Sequence, residues 1–440
     1  MAEAAHARFS KTLEAMFRDY DGPPFSIRLW DGWRWNSSSD AEPVCTIVLA
    51  TPKAAKALVL EASQVAMGEA FLQKTIEIEG DIFSVFTVTE HILGHPLPLR
   101  DRLLRNIARV GYGLSQRLTQ GARHSPRRDR AAIAYHYNQP LEFFRPWLGR
   151  TLTYSCAYFE NEADALDEAQ ERKLELICRK LRLEPGERFL DVGCGWGSLI
   201  LHAAARHHVH ACGITLSREQ AKAAEQRIAD QGLGACCEVR LQDYRDLDPA
   251  GEIFDKIASV GMYEHVGLPN LHAYFGKVYR LLKPGGVFLN HGIARSPASM
   301  PRGSDSFIGR YVFPDSELVT LTQAITAAES AGFEVRDVEN LREHYELTLR
   351  CWVEALTRAK ARLLEHVPEV TYRIWLLYMS GCAAAFRRGD IGVYQVLLSR
   401  LEKGDTRLPL TRRDWYEPAG VDQAPEGALE ASRKSAVVLN

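Results

Sequence analysis

The sequence predicts an α/β fold in which a doubly wound parallel sheet follows a smaller mixed domain. From about residue 165 onward, short apolar segments alternate with segments of helical periodicity, the pattern of a parallel sheet with helices on both faces. Residues 1–95 differ, because strand-like segments at residues 25–30, 46–49 and 75–80 are separated by turns. We therefore expect a mixed N-terminal domain before the main sheet.

The elements of the main sheet are predicted in strict alternation. A helix over residues 163–181 is indicated by Leu166, Leu174, Ile177 and Leu181, which recur at helical spacing. Strands are predicted at residues 188–192, 211–214, 237–241, 254–260 and 287–290. Ligands in such sheets bind beyond the carboxyl ends of the strands, so functional residues are expected just after each strand.

Composition excludes several classes of protein. The chain has 440 residues, a formal net charge of −2, 46% hydrophobic residues and 25% charged residues. These ordinary values argue against a disordered chain and against a globally basic nucleic-acid binder, so no nucleic-acid partner is expected. The sequence has no run of about 18 apolar residues, and residues 1–20 lack the apolar stretch of a secretory signal.

The cysteines indicate a reducing compartment. There are nine, an odd number, and no Cys-x-x-Cys pair occurs. This favours free thiols over a disulfide framework or a zinc site, so we predict a cytoplasmic protein without a metal.

The charge is unevenly distributed along the chain. Between residues 101 and 130, eight arginines stand against two aspartates, a local charge of +6. A solvated linker is the commoner explanation, and a patch for anionic lipid head groups is the alternative. The predicted organisation is an accessory domain at residues 1–125, a catalytic domain at 126–415 and a flexible tail at 416–440.

Residues suited to chemistry follow the predicted strands. Asp191 ends the first strand, and glycines at alternate positions of 193–197 let the backbone turn tightly close to a ligand. Alone, this turn also fits a simple strand-to-helix connection. Together with Asp243 and the Lys-Pro-Gly-Gly segment at 283–286, residues 185–292 resemble a class I S-adenosylmethionine-dependent methyltransferase.

Five motifs in order resemble a narrower family, the cyclopropane-fatty-acyl-phospholipid synthases with their mycolic acid relatives. They are TYSCAYFE, GCGWG, TLSREQ, SVGMYEHVG and GCAAAFR, beginning at residues 153, 193, 215, 259 and 381. The resemblance extends over about residues 131–405. It implies S-adenosylmethionine as cofactor and methylene transfer to the cis double bond of a phospholipid acyl chain, with bicarbonate as the base.

The resemblance implies two groups of site residues. The cofactor group is Tyr154, Ser155, Asp191, Gly193, Gly195, Thr215, Leu216, Gln220, Asp243 and Tyr244. Asp191 is included because of its position at the end of the first strand, and the resemblance implies the other nine. The catalytic group, expected to hold bicarbonate, is Cys156, Glu264, His291, Tyr345 and the backbone of Ile293. Singly, His291 would be read as a core histidine and Cys156 as a small buried hydrophobe. Their joint match to family positions favours a site.

An acyl-chain tunnel is expected around residues 307–314 and in a helix over 372–386, although a plain hydrophobic core predicts the same composition. By analogy, we expect peripheral association with the inner face of the membrane and a homodimer. The alternatives are a methyltransferase making methyl- or methylene-branched fatty acids, a small-molecule methyltransferase, and a lipid-binding protein without catalysis.

Overall fold

The computed structural model describes residues 2–56, 58, 63–94, 139–298, 306–313 and 317–416. The chain divides into two units, Met1–Thr406 and Arg407–Asn440. The basic stretch at 101–130 and the expected tail from 417 lie outside the described residues, and the predicted domain boundaries remain predictions.

A four-stranded mixed sheet forms the N-terminal part. Its strands are β1 (Phe25–Leu29), β2 (Arg34–Asn36), β3 (Cys45–Leu49) and β4 (Ile76–Gly80). The order is β2-β1-β3-β4, and β1 and β3 are parallel. The helices are α1 (Ala2–Met16), α2 (Pro52–Lys56), α3 (Gln64–Leu72) and α4 (Ser84–Gly94). Apolar residues of α1, α4 and the strands share one core, in which Phe17 packs against Phe25.

A seven-stranded sheet forms the rest of the architecture. Its strands are β5 (Arg188–Val192), β6 (His210–Thr215), β7 (Cys237–Leu241), β8 (Phe254–Val260), β9 (Leu282–Arg295), β10 (Glu334–Asn340) and β11 (Ile391–Ser399). The order is β10-β11-β9-β8-β5-β6-β7. The five strands predicted from the sequence are parallel, whereas β11 runs antiparallel to both its neighbours. The α/β class and the parallel arrangement of the five predicted strands are confirmed, and β10 and β11 form an edge that the sequence analysis did not predict.

Helices cover both faces of this sheet. They are α5 (Leu141–Leu148), α6 (Leu166–Leu181), α7 (Ser198–His207), α8 (Arg218–Asp230), α9 (Leu271–Leu281), α10 (Phe307–Tyr311), α11 (Leu321–Ser330), α12 (Arg342–Arg358), α13 (Lys360–Leu363), α14 (Glu369–Arg388) and, in the second unit, α15 (Arg413–Tyr416). On one face the core combines α5, α12 and α14. On the other face it combines α9 and α11 with the strands.

Local chemistry explains the limits of α6. Asp167 and Glu168 in its first turn and Arg179 and Lys180 in its last turn complement the helix dipole. The helix ends where Arg182 takes the left-handed conformation, with φ of 51°. It begins three residues later than the sequence suggested. Within the described residues, no helix combines the length and apolarity needed to cross a bilayer.

Candidate active site

A cleft at the carboxyl edge of the sheet collects the predicted cofactor group. It has a cavity volume of about 150 Å³ and lies beyond the ends of β5, β6, β7 and β8. All ten predicted residues line it: Tyr154, Ser155, Asp191, Gly193, Gly195, Thr215, Leu216, Gln220, Asp243 and Tyr244. Among the described residues of the lining, none belongs to the predicted catalytic group.

The turn after β5 requires glycine. Gly193, Gly195 and Gly197 have φ values of 88°, 55° and 84°, a region that side chains with a Cβ rarely adopt. A Cβ on Gly193 would also lie 2.9 Å from Cγ of Met262, which lines the same cleft. The turn thus allows backbone from β5 to lie directly against the segment after β8.

Asp191 and Lys173 are buried opposite charges beside the cleft. Their exposed fractions are 2% and 1%, and Lys173 Nζ donates a hydrogen bond to Ser155 Oγ at 2.8 Å. Burial raises the pKa of Asp191 to about 7 against the opposing effect of Lys173, and burial lowers the pKa of Lys173 to about 8. Among the residues that the structure describes, Asp191 Oδ1 has no hydrogen-bond partner. It can therefore accept a hydrogen bond from an ammonium or hydroxyl group of a ligand.

Polar groups after β6 and β7 complete the lining. Thr215 Oγ1 donates to Gln220 Oε1 at 2.8 Å. The Arg245 guanidinium donates to both oxygens of Asp243, at 2.9 and 2.7 Å, so this carboxylate already has a cationic partner. The ring of Tyr244 packs edge-on against Tyr274. These contacts fix the side chains in place before any ligand binds.

Glu264 anchors the predicted catalytic group. It lies in the short 3₁₀ turn Tyr263–His265 after β8, and the backbone N–H of Ile293 donates to its Oε1 at 2.8 Å. The Tyr263 hydroxyl donates to the Ile293 carbonyl at 2.8 Å. Burial raises the pKa of Glu264 to about 7, and no described residue forms a hydrogen bond with its buried Oε2. The structure brings Glu264 and Ile293 together and leaves one carboxylate oxygen available to a ligand.

Tyr345 and Cys156 lie in the same buried region. Burial raises the pKa of the Tyr345 hydroxyl well above its usual range, and the neighbouring ionisable groups of Tyr154, Cys156 and Glu264 raise it further. Burial likewise raises the pKa of the Cys156 thiol, whose Sγ lies 3.2 Å from the Ala157 carbonyl. Both groups are therefore neutral and offer hydrogen-bond donors rather than charge.

His291 lies in the interior of β9, not at the end of a strand as the sequence suggested. It stands opposite Gln395 of β11 and on the same face as Ile293, two residues further along the strand. Burial lowers the pKa of His291 well below its usual range, and the charges of Lys173 and Lys180 act in the same direction. The imidazole is therefore neutral, and its buried Nε2 has no hydrogen-bond partner in the described part of the chain.

Lys180 determines which nitrogen of His291 carries the proton. An ammonium group can only donate, and Lys180 Nζ lies 2.7 Å from Gln395 Oε1. The Gln395 amide nitrogen therefore points to His291 Nδ1, at 3.2 Å, and donates to it. Because Nδ1 accepts, the ring proton resides on Nε2. Lys180 is held in turn by Glu339 and lies 3.9 Å from Asp337.

Sequence reasoning missed Lys173, Lys180 and Gln395. Lys173 and Lys180 are seven residues apart and both lie on the buried side of α6, together with Leu174 and Leu181. Two lysines on an otherwise apolar stripe were a signal that could have been used, since such residues are rarely buried without a partner. Gln395 carried no local signal.

A separate cluster of donor groups lies on α6 and α7. Potential ligand atoms of Cys178, His202 and His207 are within 4.8 Å of one another. Glu175 Oε2 contacts Nε2 of both imidazoles, at 3.0 and 3.1 Å. These hydrogen bonds account for the arrangement of the side chains, and the absence of a metal remains a prediction.

Comparison with known proteins identifies the family. Residues 124–396 match the family described as mycolic acid cyclopropane synthetase. The chain belongs to the mycolic acid cyclopropane synthetase family. The resemblance to class I methyltransferases that make cyclopropane fatty acids is thereby confirmed. Residues 12–91 match a second family, described as a domain of unknown function (DUF7884).

Individual members of this synthetase family show how far the similarity extends. A probable fatty acid methyltransferase of Pseudomonas putida is 39% identical over 397 residues, covering 89% of this chain and 96% of its own. The cyclopropane-fatty-acyl-phospholipid synthase of Escherichia coli K12 is 40% identical over 265 residues, and the match covers 60% of this chain and 66% of the Escherichia protein. The crystal structure of mycolic acid cyclopropane synthase CmaA1 with SAH and CTAB has 35% sequence identity and a TM-score of 0.58. The match covers 61% of this chain and 97% of the CmaA1 chain.

Proposed function

We propose that this protein transfers a methylene group from S-adenosylmethionine to the cis double bond of a phospholipid acyl chain, so that a cyclopropane ring forms. The observation that carries the proposal is the pair of buried, unpartnered atoms Glu264 Oε2 and His291 Nε2 on neighbouring segments. A small-molecule methyltransferase gives no reason for such a pair. The names of the Pseudomonas and Escherichia relatives support a fatty acyl substrate.

The cleft residues are proposed to hold the cofactor. S-adenosylmethionine, when bound, supplies the methyl carbon from its sulfonium centre. Asp191 Oδ1 accepts a hydrogen bond from its ammonium or ribose groups. The turn at Gly193 and Gly195 lets backbone approach it closely, and Tyr244 offers an aromatic face. The SAH-bound CmaA1 structure supports a cofactor of this class.

The catalytic group is proposed to hold bicarbonate, and its donors and acceptors fit this anion. Bicarbonate, when bound, supplies the base that takes the proton lost on ring closure. His291 Nε2–H and the Tyr345 hydroxyl donate to anionic oxygens, while ionised Glu264 Oε2 accepts the hydroxyl hydrogen of the anion. The charges of Lys173 and Lys180, which already depress the pKa of His291, favour an anion at this place.

Aromatic side chains exclude water from the reacting region. The Tyr154 ring lies 5.1 Å from Trp352 and 5.7 Å from Trp375. The attack of an alkene on a sulfonium methyl leaves positive charge on the acyl chain, and water would quench it. Aromatic faces stabilise such charge while keeping the region dry.

A methyl- or methylene-branched product is the alternative, favoured by the name of the Pseudomonas relative. The test incubates the protein with S-adenosylmethionine, bicarbonate and vesicles of oleoyl phosphatidylglycerol and phosphatidylethanolamine. Mass spectrometry and proton NMR of the recovered lipid distinguish the outcomes. We expect a gain of one CH₂ with loss of the alkene signals and appearance of ring protons. New vinylidene signals indicate the branched product, and an unchanged acyl chain contradicts both.

We propose further that the protein works at the inner membrane surface and as a homodimer. Retention on anionic vesicles in flotation, and its loss at high salt, tests the first part, because screening weakens surface charge interactions. Sedimentation equilibrium tests the second part. A monomer that floats equally well with neutral vesicles contradicts both expectations.

A further inference from the structure

A second cavity lies between the N-terminal sheet domain and helix α14. Its volume is about 120 Å³, and its lining is predominantly apolar. Strands β3 and β4 and helices α3 and α4 provide one wall, and helices α10 and α14 provide the other. The residues that matter for the argument are Phe71, Ile78 and Thr89 on the first wall and Phe307, Tyr378 and Gly381 on the second.

The two walls are fixed to each other by Arg373 of α14. Its side chain is 5% exposed, and its guanidinium donates to the Phe71 carbonyl at 2.6 and 2.9 Å and to Glu77 at 2.8 Å. The same guanidinium stacks on the Phe71 ring, 3.9 Å from its centroid. Buried, charge-assisted contacts of this kind are much stronger than exposed ion pairs. The cavity is therefore a built feature and not a gap between loosely associated parts.

Tyr378 connects this cavity to the catalytic region. It lines the cavity, and its pKa is raised by burial and by the neighbouring Tyr154, Cys382 and Tyr345. Phe313 provides a second connection, because its ring lies 5.8 Å from Tyr378 and 5.5 Å from His265, which lines the cofactor cleft. Two ring contacts thus link His265, which lines the cleft, through Phe313 to Tyr378, which lines the cavity.

The chemistry of the cavity selects a hydrocarbon. Its two charged residues, Glu90 and Arg388, pair with each other and so leave no free charge for a head group. The match to the CmaA1 structure covers 97% of that chain and 61% of this one, so this chain has substantial additional sequence beyond the matched part.

We infer that this cavity receives the methyl end of the substrate acyl chain, and that the N-terminal domain thereby selects chain length beyond the double bond. The inference rests on the proposed lipid methyl transfer. It assigns the N-terminal domain a direct part in substrate choice. Each methylene accommodated or refused by such a pocket changes kcat/KM by about 10- to 200-fold.

The decisive experiment compares two phospholipids that differ only beyond the double bond. Oleoyl and myristoleoyl chains have the same carboxyl-side length, and oleoyl is longer on the methyl side. Thr89→Trp places a bulky ring in the cavity, so we expect its kcat/KM for oleoyl lipid to fall at least about tenfold and that for myristoleoyl lipid to change little. Thr87→Trp, on the same helix but exposed, is the matched control and should behave as wild type.

An equal loss for both lipids, or no loss for either, overturns the inference. A binding measurement separates this result from failure of the proposed reaction. A phospholipid with a photoreactive diazirine near the methyl end of its acyl chain should label residues 67–90 or 377–381 in the wild-type protein, whether or not it is turned over. Labelling confined to other segments, or an absence of labelling, contradicts the cavity assignment. Labelling at the expected segments without product formation contradicts the reaction alone.

Discussion

The cofactor cleft and the buried cluster around Glu264 and His291 are built differently by the chain. Cleft residues such as Asp191, Gly193 and Thr215 lie at or directly after the end of a strand. The buried cluster depends on contacts across the sequence, because Gln395 is 104 residues from His291 and 215 from Lys180. The residues of the cleft are thus positioned by local sequence at the strand ends. The groups proposed to hold the base are oriented by contacts between distant segments of the chain.

The electrostatics of the two regions differ as well. The cleft holds groups of opposite charge: Asp243 forms an ion pair with Arg245, and the charge of Lys173 opposes the rise that burial causes in the pKa of Asp191. The buried cluster instead keeps Cys156, His291 and Tyr345 neutral and places two lysines nearby. The cleft suits a zwitterionic ligand, and the cluster suits a small anion. Substitutions in one region should therefore leave the function of the other region measurable.

The largest effect is expected in the buried cluster. Glu264→Gln removes the carboxylate that orients the base but keeps its shape, so kcat should fall about 10²- to 10⁴-fold. Affinity for S-adenosylmethionine, measured by calorimetry, should stay within about twofold because Glu264 does not line the cleft. Comparable losses of kcat and cofactor affinity would show that the two regions are not separable.

The converse effect is expected in the cleft. Gly193→Ala places a Cβ 2.9 Å from Met262 Cγ at a φ of 88°, so calorimetry should show affinity for S-adenosylmethionine about tenfold weaker or worse. Gly186→Ala is the matched control, since its φ is 82° but its Cβ would meet nothing within 4 Å. It should lower stability by about 1–2 kcal/mol in thermal unfolding without changing cofactor affinity. Similar affinities for the two variants would refute the proposed close approach.

A smaller effect is expected from the contacts behind His291. In the wild type, ¹⁵N NMR of the histidine ring should show a proton on Nε2. Gln395→Glu substitutes a side chain that only accepts, so Nδ1 should become protonated and kcat should fall about 10- to 100-fold. Lys180→Met frees the Gln395 amide to rotate and should give a mixture of tautomers. A wild-type ring protonated on Nδ1 would contradict the derivation.

The prediction of the fold from sequence succeeded where signals were local. Strands 188–192, 237–241 and 254–260 have the predicted limits, because each is a short segment rich in strand-forming residues and flanked by turn signals. The strand predicted to end at residue 290 continues to Arg295. Its last residues are held by antiparallel pairing with β11, almost a hundred residues later, and no local pattern reports such pairing.

The same distinction explains the prediction of the site. All ten residues that were predicted to bind the cofactor line one cleft, because glycine turns and strand ends meet at one edge of a parallel sheet. His291 was assigned to a strand end, because the pairing with β11 that extends β9 past residue 290 comes from a distant part of the sequence. Its contact with Gln395, which Lys180 also contacts, depends on distant elements as well. Residues such as Lys180 and Gln395, which orient another side chain, do not belong to a sequence motif that could identify them.

The smallest effect expected is the pH dependence of the wild type. Burial raises the pKa of Glu264 to about 7, and only its ionised form accepts the hydroxyl hydrogen of the base. Activity should therefore rise with pH, reach half its maximum near pH 7 and change less than about twofold from pH 7 to 8. Burial raises the pKa of Asp191 to about 7 as well, so S-adenosylmethionine must be saturating to remove the effect of Asp191 on cofactor binding. Bicarbonate must also be saturating at each pH. The residual activity of Glu264→Gln should lack this rise. A rise that persists in Glu264→Gln but disappears in Asp191→Asn would place the pH sensitivity in the cleft instead.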